Sequence, residues 1–397
     1  MIKILELFGG IGACSKALEK LGIEYEIVDY VDIDKYACKS FNAIHKTNFE
    51  VQDITNWYKH FDNIDLIMHG SPCQDFSVAG KNQGGDEGSG TRSSLLYETI
   101  RIVEDIKPKY VIWENVKNVI SKKHKHNFDN YIERLNEIGY TSYYQVLNAK
   151  NYGIPQNRER VFTISIRNDI SKVFSFPEKQ ELKLKLKDFL DDEVDKKYYL
   201  SQEMINGMLH IKFNSYKLEK RLQDIDSYVD TLTTATGARC PHCVLVKDTE
   251  NYIEWKQEGK LDVDCRAFKE EKISGTIVTT NKNKVLIKNN TKKGYLEASD
   301  GDGVYTNISN KRGTVQKQMI QTLTSFNDKG VVLEDLSIRR LTPLETWRLM
   351  GFDDEDFDKA SKVCSDTQLY KQAGNSIVVN VLMAILNNLI KGKDNND

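Results

Sequence analysis

Short apolar runs alternate with amphipathic helical stretches over residues 1–170, and this alternation is what most constrains the fold. The strands are read at Ile2–Leu7, Tyr25–Val31, Leu66–His69, Tyr110–Glu114, Tyr143–Asn148 and Val161–Ile166. Between them the spacing predicts helices at Ser15–Leu21, Lys35–Phe41, Leu95–Ile106 and Phe128–Ile138. Gly22 and Gly139 stand where a helix C-terminus favours glycine. Strand–helix alternation implies an α/β fold with a doubly wound, mostly parallel, Rossmann-like sheet.

The pattern changes near Lys179. Charge alternates with leucine over Glu181–Lys187, then comes the acidic run Asp191-Asp192-Glu193. Residues of about 200 to 335 read as a second, smaller, irregular β-rich domain with many turns. Three short threonine echoes lie there, at Thr231–Thr234, Thr276–Thr279 and Thr322–Ser325, too short to be a repeat. Helical pattern resumes at Pro343–Met350 and Val378–Ile390. The division expected is 1–185 as one domain, completed by 363–397, with 186–362 as the second.

Chain length, 397 residues, allows two or three domains. A net charge of −2 excludes a passive nucleic-acid coat but not a local basic cleft. Seven widely spread cysteines and no secretory leader point to a reducing, cytoplasmic setting. No apolar run reaches the roughly 18 residues of a spanning helix, so no membrane is expected.

Pro72-Cys73-Gln74 follows the strand Leu66–His69 and precedes a glycine-rich stretch, Gly80 to Gly90. A cysteine there is either a nucleophile at the mouth of an α/β site or a buried core thiol. Phe8-Gly9-Gly10-Ile11-Gly12 links the first strand to the first helix, where glycines let a ligand approach the helix N-terminus. Asp32, at the end of the next strand, either reaches a ribose hydroxyl or caps the following helix. Asp53 either accepts from an adenine amino group or caps a turn. Glu114, behind Val-Ile-Trp, is either a partly desolvated proton donor or a structural carboxylate paired with arginine. Arg158 and Arg160 alternate, so a strand would show both on one face, toward an anion or carbonyl or along a solvated edge.

Together these residues resemble the C5-cytosine DNA methyltransferase family of bacterial or phage type. Phe8–Gly12 matches its cofactor loop, Pro72–Gln74 its catalytic loop, Glu114-Asn115-Val116 its acid motif and Gln156–Arg160 its arginine motif. Arg339–Glu345 looks like its ninth motif and Gly374–Val378 its tenth. Two departures stand out. Asp32-Ile33 replaces a usual Glu-Trp pair, and Ser71 stands where many relatives have phenylalanine.

The resemblance implies methyl transfer from S-adenosylmethionine to C5 of a cytosine flipped out of double-stranded DNA, without a metal. It makes Cys73 the nucleophile on C6, Glu114 the proton donor at N3 and Arg158, with Arg160, the partner of O2. Cofactor contacts are expected from Phe8, Gly10, Gly12, Asp32, Ile33, Asp53, Ile54, Pro72, Asn375 and Ser376. DNA contacts are expected from Gln74, Ser77, Lys81, Arg92 and Ser93 in a glycine-hinged lid. The basic stretch 281–317, with Lys292, Lys293 and Arg312, would add phosphate contacts, and Thr322, Leu323 and Ser325 would set choice of site. A monomer is expected, and a cognate restriction endonuclease would act separately. The rival substrate is transfer RNA, and the rival class is a DNA-binding module without catalysis. Cys240, Cys243 and Cys265 are an incomplete zinc set.

Overall fold

A computed structural model describes residues 1–72, 92–201, 284–306, 313–334 and 337–392, together with strands at 222–224, 243–247, 252–256 and 267–269. The chain forms two compact units. The first comprises Met1–Leu184, Thr322–Phe326 and Pro343–Asp397, and the second Lys185–Gln321 and Asn327–Thr342.

The first unit is built on a six-stranded sheet. Its strands are β1 (Ile2–Leu7), β2 (Tyr25–Val31), β3 (Leu66–His69), β4 (Tyr110–Val116) and β5 (Tyr140–Asn148). After the short β6 (Gln156–Asn157), β7 (Glu159–Arg167) completes it in the order β2-β1-β3-β4-β7-β5. The first four strands of that order are parallel, and β7 runs antiparallel to both β4 and β5. The helices are α1 (Ala13–Lys20), α2 (Lys35–His45), α3 (Leu96–Ile106) and α4 (Lys125–Glu137). Leu96, Ile100 and Val103 of α3 and Phe128, Tyr131 and Leu135 of α4 share one core with Leu5, Ile67 and Val111 of the sheet. Continuous apolar runs in β3 and β4 follow from this burial on both faces.

Sequence and structure agree on the existence of these elements and differ at their ends. α2 runs four residues beyond Phe41 to His45, and it starts where the Asp34 carboxylate accepts from the amides of Tyr36 and Ala37. Gly22 and Gly139 are left-handed, at φ 63° and 96°, as helix stops.

The last helices belong to the first unit. They are α5 (Pro343–Arg348), α6 (Asp354–Ser361), α7 (Asp366–Asn375) and α8 (Val379–Leu386). The sequence reading had given 343–362 to the second domain; these residues instead pack among themselves and on the sheet's helices. Trp347 is buried and donates from its indole to the Leu369 carbonyl at 3.0 Å. α1 packs on α8, and α2 on α6. Lys16 of α1, almost wholly buried, meets Asp356 at 3.0 Å, Asp353 at 3.1 Å and Glu19 at 3.1 Å. Asp366–Lys391 is long and apolar enough to cross a membrane by length and composition, contrary to the expectation above. It breaks after Asn375 into separate helices, and Leu369, Val379, Leu382, Ile385 and Leu389 all lie in the core.

The second unit is β-rich. One sheet has the order β11-β10-β9-β8, from Leu222–Asp224 (β8), Cys243–Lys247 (β9), Tyr252–Lys256 (β10) and Ala267–Lys269 (β11). A hairpin joins Val285–Lys288 (β12) to Tyr295–Ala298 (β13). A third sheet, β15-β14-β17-β18, uses Gly303–Tyr305 (β14), Val315–Gln316 (β15), Lys329–Val332 (β17) and Ile338–Arg340 (β18), with Ile320–Gln321 (β16) nearby in sequence. Leu200, Val285, Ile287, Val304, Val332 and Ile338 form its own core.

Candidate active site

The carboxyl ends of β1, β3 and β4 open onto one cavity in the first unit. Glu6, Phe8, Gly10, Cys14, Gly70, Glu114, Asn375 and Ser376 line it. The strand order changes direction beside β1 and β3, which is where ligands enter a doubly wound sheet.

The loop after β1 is held in a demanding conformation. Phe8 has φ 52°, a left-handed value that is strained for an aromatic residue. A Cβ on Gly12, at φ 80°, would strike the His45 and Phe41 rings. A Cβ on Gly10 would meet nothing within 4 Å, so this backbone borders open space. Asp32 shapes the same loop. Its two carboxylate oxygens accept from the Gly10 amide at 2.9 Å and the Asp34 amide at 2.8 Å. Burial pushes this carboxyl up, against the backbone hydrogen bonds that pull it down. Ile33 beside it is 70% exposed, an apolar side chain with its face uncovered. Asp53 begins a helical turn and accepts from the Thr55 amide and hydroxyl at 3.0 and 2.8 Å, while Ile54 is buried. This arrangement fits an adenosine-containing cofactor: an open glycine backbone, a carboxylate at the second strand and an uncovered apolar face.

At the end of β3 the chain is fastened to β4. Ser71 accepts from the Trp113 indole at 3.0 Å, and its carbonyl accepts from the Asn115 side chain at 3.2 Å. Pro72 follows, half-buried. Cys73, Gln74, Ser77 and Lys81 lie outside the described residues. Arg92 and Ser93 begin a short helical turn before α3, and their side chains are likewise not described.

Glu114 reaches the cavity from β4. Its ion-pair partner is Arg160 of β7, at 3.0 Å. The pairing follows from register, because Glu114 lies opposite Phe162 and Val116 opposite Arg160. Arg158 does something different. It is buried, and its guanidinium donates to the carbonyls of Leu323 at 3.2 Å, Gly374 at 3.2 Å and Ser376 at 2.7 Å. The two arginines therefore do not share a face. Alternation fails because Arg158 sits in the break between β6 and β7, where its amide donates to the Gln156 carbonyl at 3.0 Å. Arg158 holds backbone, and Arg160 stands beside the acid.

Such a constellation is what the C-5 cytosine-specific DNA methylase model covers, matching residues 2–391. The chain belongs to this family. It is 33% identical to the type II methyltransferase M2.ScrFI of Lactococcus lactis subsp. cremoris, over 99% of this chain and 100% of that one. It is 31% identical to the orphan methyltransferase M.SPRI of Bacillus phage SPR, over 98% and 97%. Among solved structures it resembles a putative DNA modification methyltransferase encoded within an E. coli prophage, at TM-score 0.58 and 19% identity over 98% and 99% of the two chains. It also resembles the S. pombe Dnmt2 methyltransferase, at TM-score 0.55 and 18% identity over 98% and 99%. These two show the fold.

Other residues read from the C5-methylase resemblance are placed as follows. Asn375 is exposed at the cavity, and the buried Ser376 presents its carbonyl to Arg158. Thr322 and Leu323 do not stand free to face a base. The Thr322 hydroxyl donates to the Asn157 carbonyl at 2.9 Å, and the buried Leu323 donates its amide to Gln156 at 3.2 Å. Ser325 lies in the same 322–326 segment, inside the first unit. Thr324 packs its backbone against Gly374, where a Cβ would not fit. The basic stretch is partly neutralised within the second unit, Lys284 pairing with Glu297 and Lys317 with the buried Asp302, each at 2.7 Å. Lys292 and Lys293 are exposed at the β12–β13 turn. Arg312 lies outside the described residues, as do Cys240, Cys265 and the side chain of Cys243. Sequence reasoning missed Glu6, whose signal was a carboxylate between the apolar Leu5 and Leu7 just before the glycine loop.

Proposed function

We propose that this chain is a sequence-specific DNA cytosine-5 methyltransferase that uses S-adenosylmethionine. The observation that carries the reading is the convergence of the Phe8–Gly12 loop and Glu114, itself ion-paired to Arg160, on one cavity, with Cys73 following Pro72 in sequence. When bound, S-adenosylmethionine supplies a methyl group made electrophilic by its sulfonium.

Phe8, Gly10, Gly12, Asp32 and Ile33 would hold its adenosine part, with Asp53 and Ile54 at the base and Pro72, Asn375 and Ser376 at the inner end. Cytosine C5 is a poor nucleophile until C6 is attacked. The Cys73 thiolate adds to C6, and its electron pair enters the ring as negative charge on N3 and O2. Glu114, as the acid, gives a proton to N3. Arg160, rather than Arg158, meets O2, because Arg160 is the guanidinium beside Glu114. Once C5 carries the methyl group, a base removes its proton and the C6–S bond breaks, restoring Cys73. Arg158 acts as a staple that holds Leu323, Gly374 and Ser376 behind the site.

The target carbon is inaccessible in stacked duplex, so the base must be flipped. The second unit is assigned target recognition, with Lys292 and Lys293 as phosphate contacts. A cognate restriction endonuclease, if one accompanies the enzyme, acts separately.

Labelled methyl transfer tests this function. S-adenosylmethionine labelled in its methyl group should yield 5-methylcytosine in duplex DNA, at one sequence context, and none in transfer RNA. Label in transfer RNA alone would replace DNA with RNA as the substrate. Label in neither would remove the assignment.

A further inference from the structure

β2 skips one residue of register just before its buried carboxylate. Ile27 lies opposite Ile4 but Asp29 opposite Leu5, so Val28 is bulged and the side chain after it is re-aimed. Asp29 thus stands on the edge strand of the sheet with only 2% of its surface exposed. It lies outside every motif matched above. One of its oxygens accepts from the Tyr30 amide at 2.9 Å and the Gln52 side chain at 2.8 Å. The other accepts from the Trp57 indole at 3.0 Å and the Lys59 ammonium at 2.9 Å.

Gln52, Trp57 and Lys59 all belong to one segment after α2, and that segment carries Asp53 and Ile54. Further bonds tie it down at both ends. The Gln52 amide donates to the Asp32 carbonyl at 3.1 Å, and its side chain also donates to the Tyr30 carbonyl at 2.6 Å. From α3, Arg101 donates to the carbonyls of Ile54 at 3.3 Å and Trp57 at 2.9 Å. Asp53 spends one oxygen on Thr55, and its other oxygen makes no hydrogen bond or ion pair among the described residues. That second oxygen can accept from a ligand amino group, and does so well only while the segment behind it is held in place.

We propose that Asp29 is a positioning residue for the adenine subsite. By gathering Gln52, Trp57 and Lys59 onto β2 it fixes Asp53, and so sets how sharply the site tells adenine from a purine without the amino group. This rests on the reading of Asp53 as the acceptor of the adenine amino group. Asp29→Asn probes it with little change of shape. Both oxygens of Asp29 accept only from donors, so an amide nitrogen in place of either one faces N–H groups and releases one side of the clamp.

Titration calorimetry on the full chain compares S-adenosylhomocysteine with S-inosylhomocysteine, whose purine carries a carbonyl where adenine has its amino group. Neither has a methyl group to transfer, so affinity alone is read. Wild type should favour S-adenosylhomocysteine by roughly tenfold to a hundredfold, the worth of one hydrogen bond to a carboxylate. Asp29→Asn should narrow that preference to within about threefold, by weakening S-adenosylhomocysteine while S-inosylhomocysteine binds nearly as before. Gln52→Met cuts the segment from Asp29 and Tyr30 but leaves the Trp57 indole bonded, and should narrow the preference in the same direction.

A lower thermal midpoint for Asp29→Asn with the wild-type preference intact would make Asp29 structural only and overturn the proposal, while the adenine reading of Asp53 stands. If Asp29→Asn does not fold, Gln52→Met decides by the same ratio. If wild type binds both ligands equally, the reading of Asp53 fails and this inference with it. If wild type binds neither, the cofactor site itself is lost.

Discussion

Arg158 and Arg160 differ by two positions and by everything that matters. A strand reading puts both on one face, but the chain breaks between β6 and β7, so one guanidinium becomes a staple and the other an active-site neighbour. Arg158→Met should strip hydrogen bonds from three carbonyls and lower the thermal midpoint, at about 1–3 kcal/mol for each acceptor left unsatisfied. Arg160→Met should leave that midpoint nearly unchanged and depress single-turnover methylation. Finding the reverse would return O2 recognition to Arg158. Glu114→Gln should lower turnover by about 10²–10⁴-fold while cofactor affinity stays near wild type. Calorimetry and single-turnover rates on the same preparation check both halves of that statement. Glu114 itself was legible in the sequence, because an acid after Val-Ile-Trp ends a buried strand. Its partner was not, since antiparallel register between β4 and β7 chooses Arg160.

The α/β alternation was readable because helix and strand periods differ and glycine stops are local. α6 and α7 were not picked out as helices; the sequence reading joined 363–397, with α7 and α8, to the first domain, but not α5 and α6, because contacts such as Lys16–Asp356 span 340 residues of sequence. Lys16 and Asp356 show what joins them. Both side chains are almost wholly buried, and despite the desolvation that burial brings, Asp356, Glu19 and Asp353 hold the Lys16 ammonium well above its ordinary value. Asp356 is the buried one of the three partners, and the half-exposed Glu19 and Asp353 remain when it is neutralised. Asp356→Asn should therefore cost about 1.5–3 kcal/mol of unfolding free energy, read from denaturant titration. A change under about 1 kcal/mol would show that α6 does not depend on this clasp.

β3 carries a pH dependence of its own. His69 is buried, lies 3.0 Å from the Tyr131 hydroxyl, and stacks on Trp113 with ring planes 4° apart. Burial lowers its pKa from 6.5 to about 3. The unfolded chain therefore binds a proton that the folded one refuses. This contribution to stability is complete above pH 6.5 and is lost as pH falls toward 3, by up to about 1.4 kcal/mol per pH unit. His69→Phe should flatten that part of the acid limb in urea titrations at pH 4 to 7. An unaltered slope would show that His69 is protonated without unfolding.

At the scale of the whole molecule, the two units have separate cores. The second, irregular one was recognisable by the loss of helical pattern, yet its boundaries were misplaced at Thr322–Phe326 and Pro343, which return to the first unit. Thr322 looked like a recognition residue because Thr322-Leu323 resembles the Thr-Leu pair of the family's recognition domain. Its hydroxyl instead anchors the chain to Asn157. Among the described residues of the basic stretch, Lys284 and Lys317 are ion-paired inside the unit, while Lys292 and Lys293 are exposed at a hairpin turn. The central claim is that both units serve one covalent event at Cys73. A duplex with 5-fluorocytosine at the target has no C5 proton to lose, so the C6–S bond should persist after methyl transfer. Incubating the enzyme with that duplex and S-adenosylmethionine should give a denaturation-resistant complex whose cross-linked peptide contains Cys73. Methylation of unmodified duplex without any such complex would contradict the mechanism.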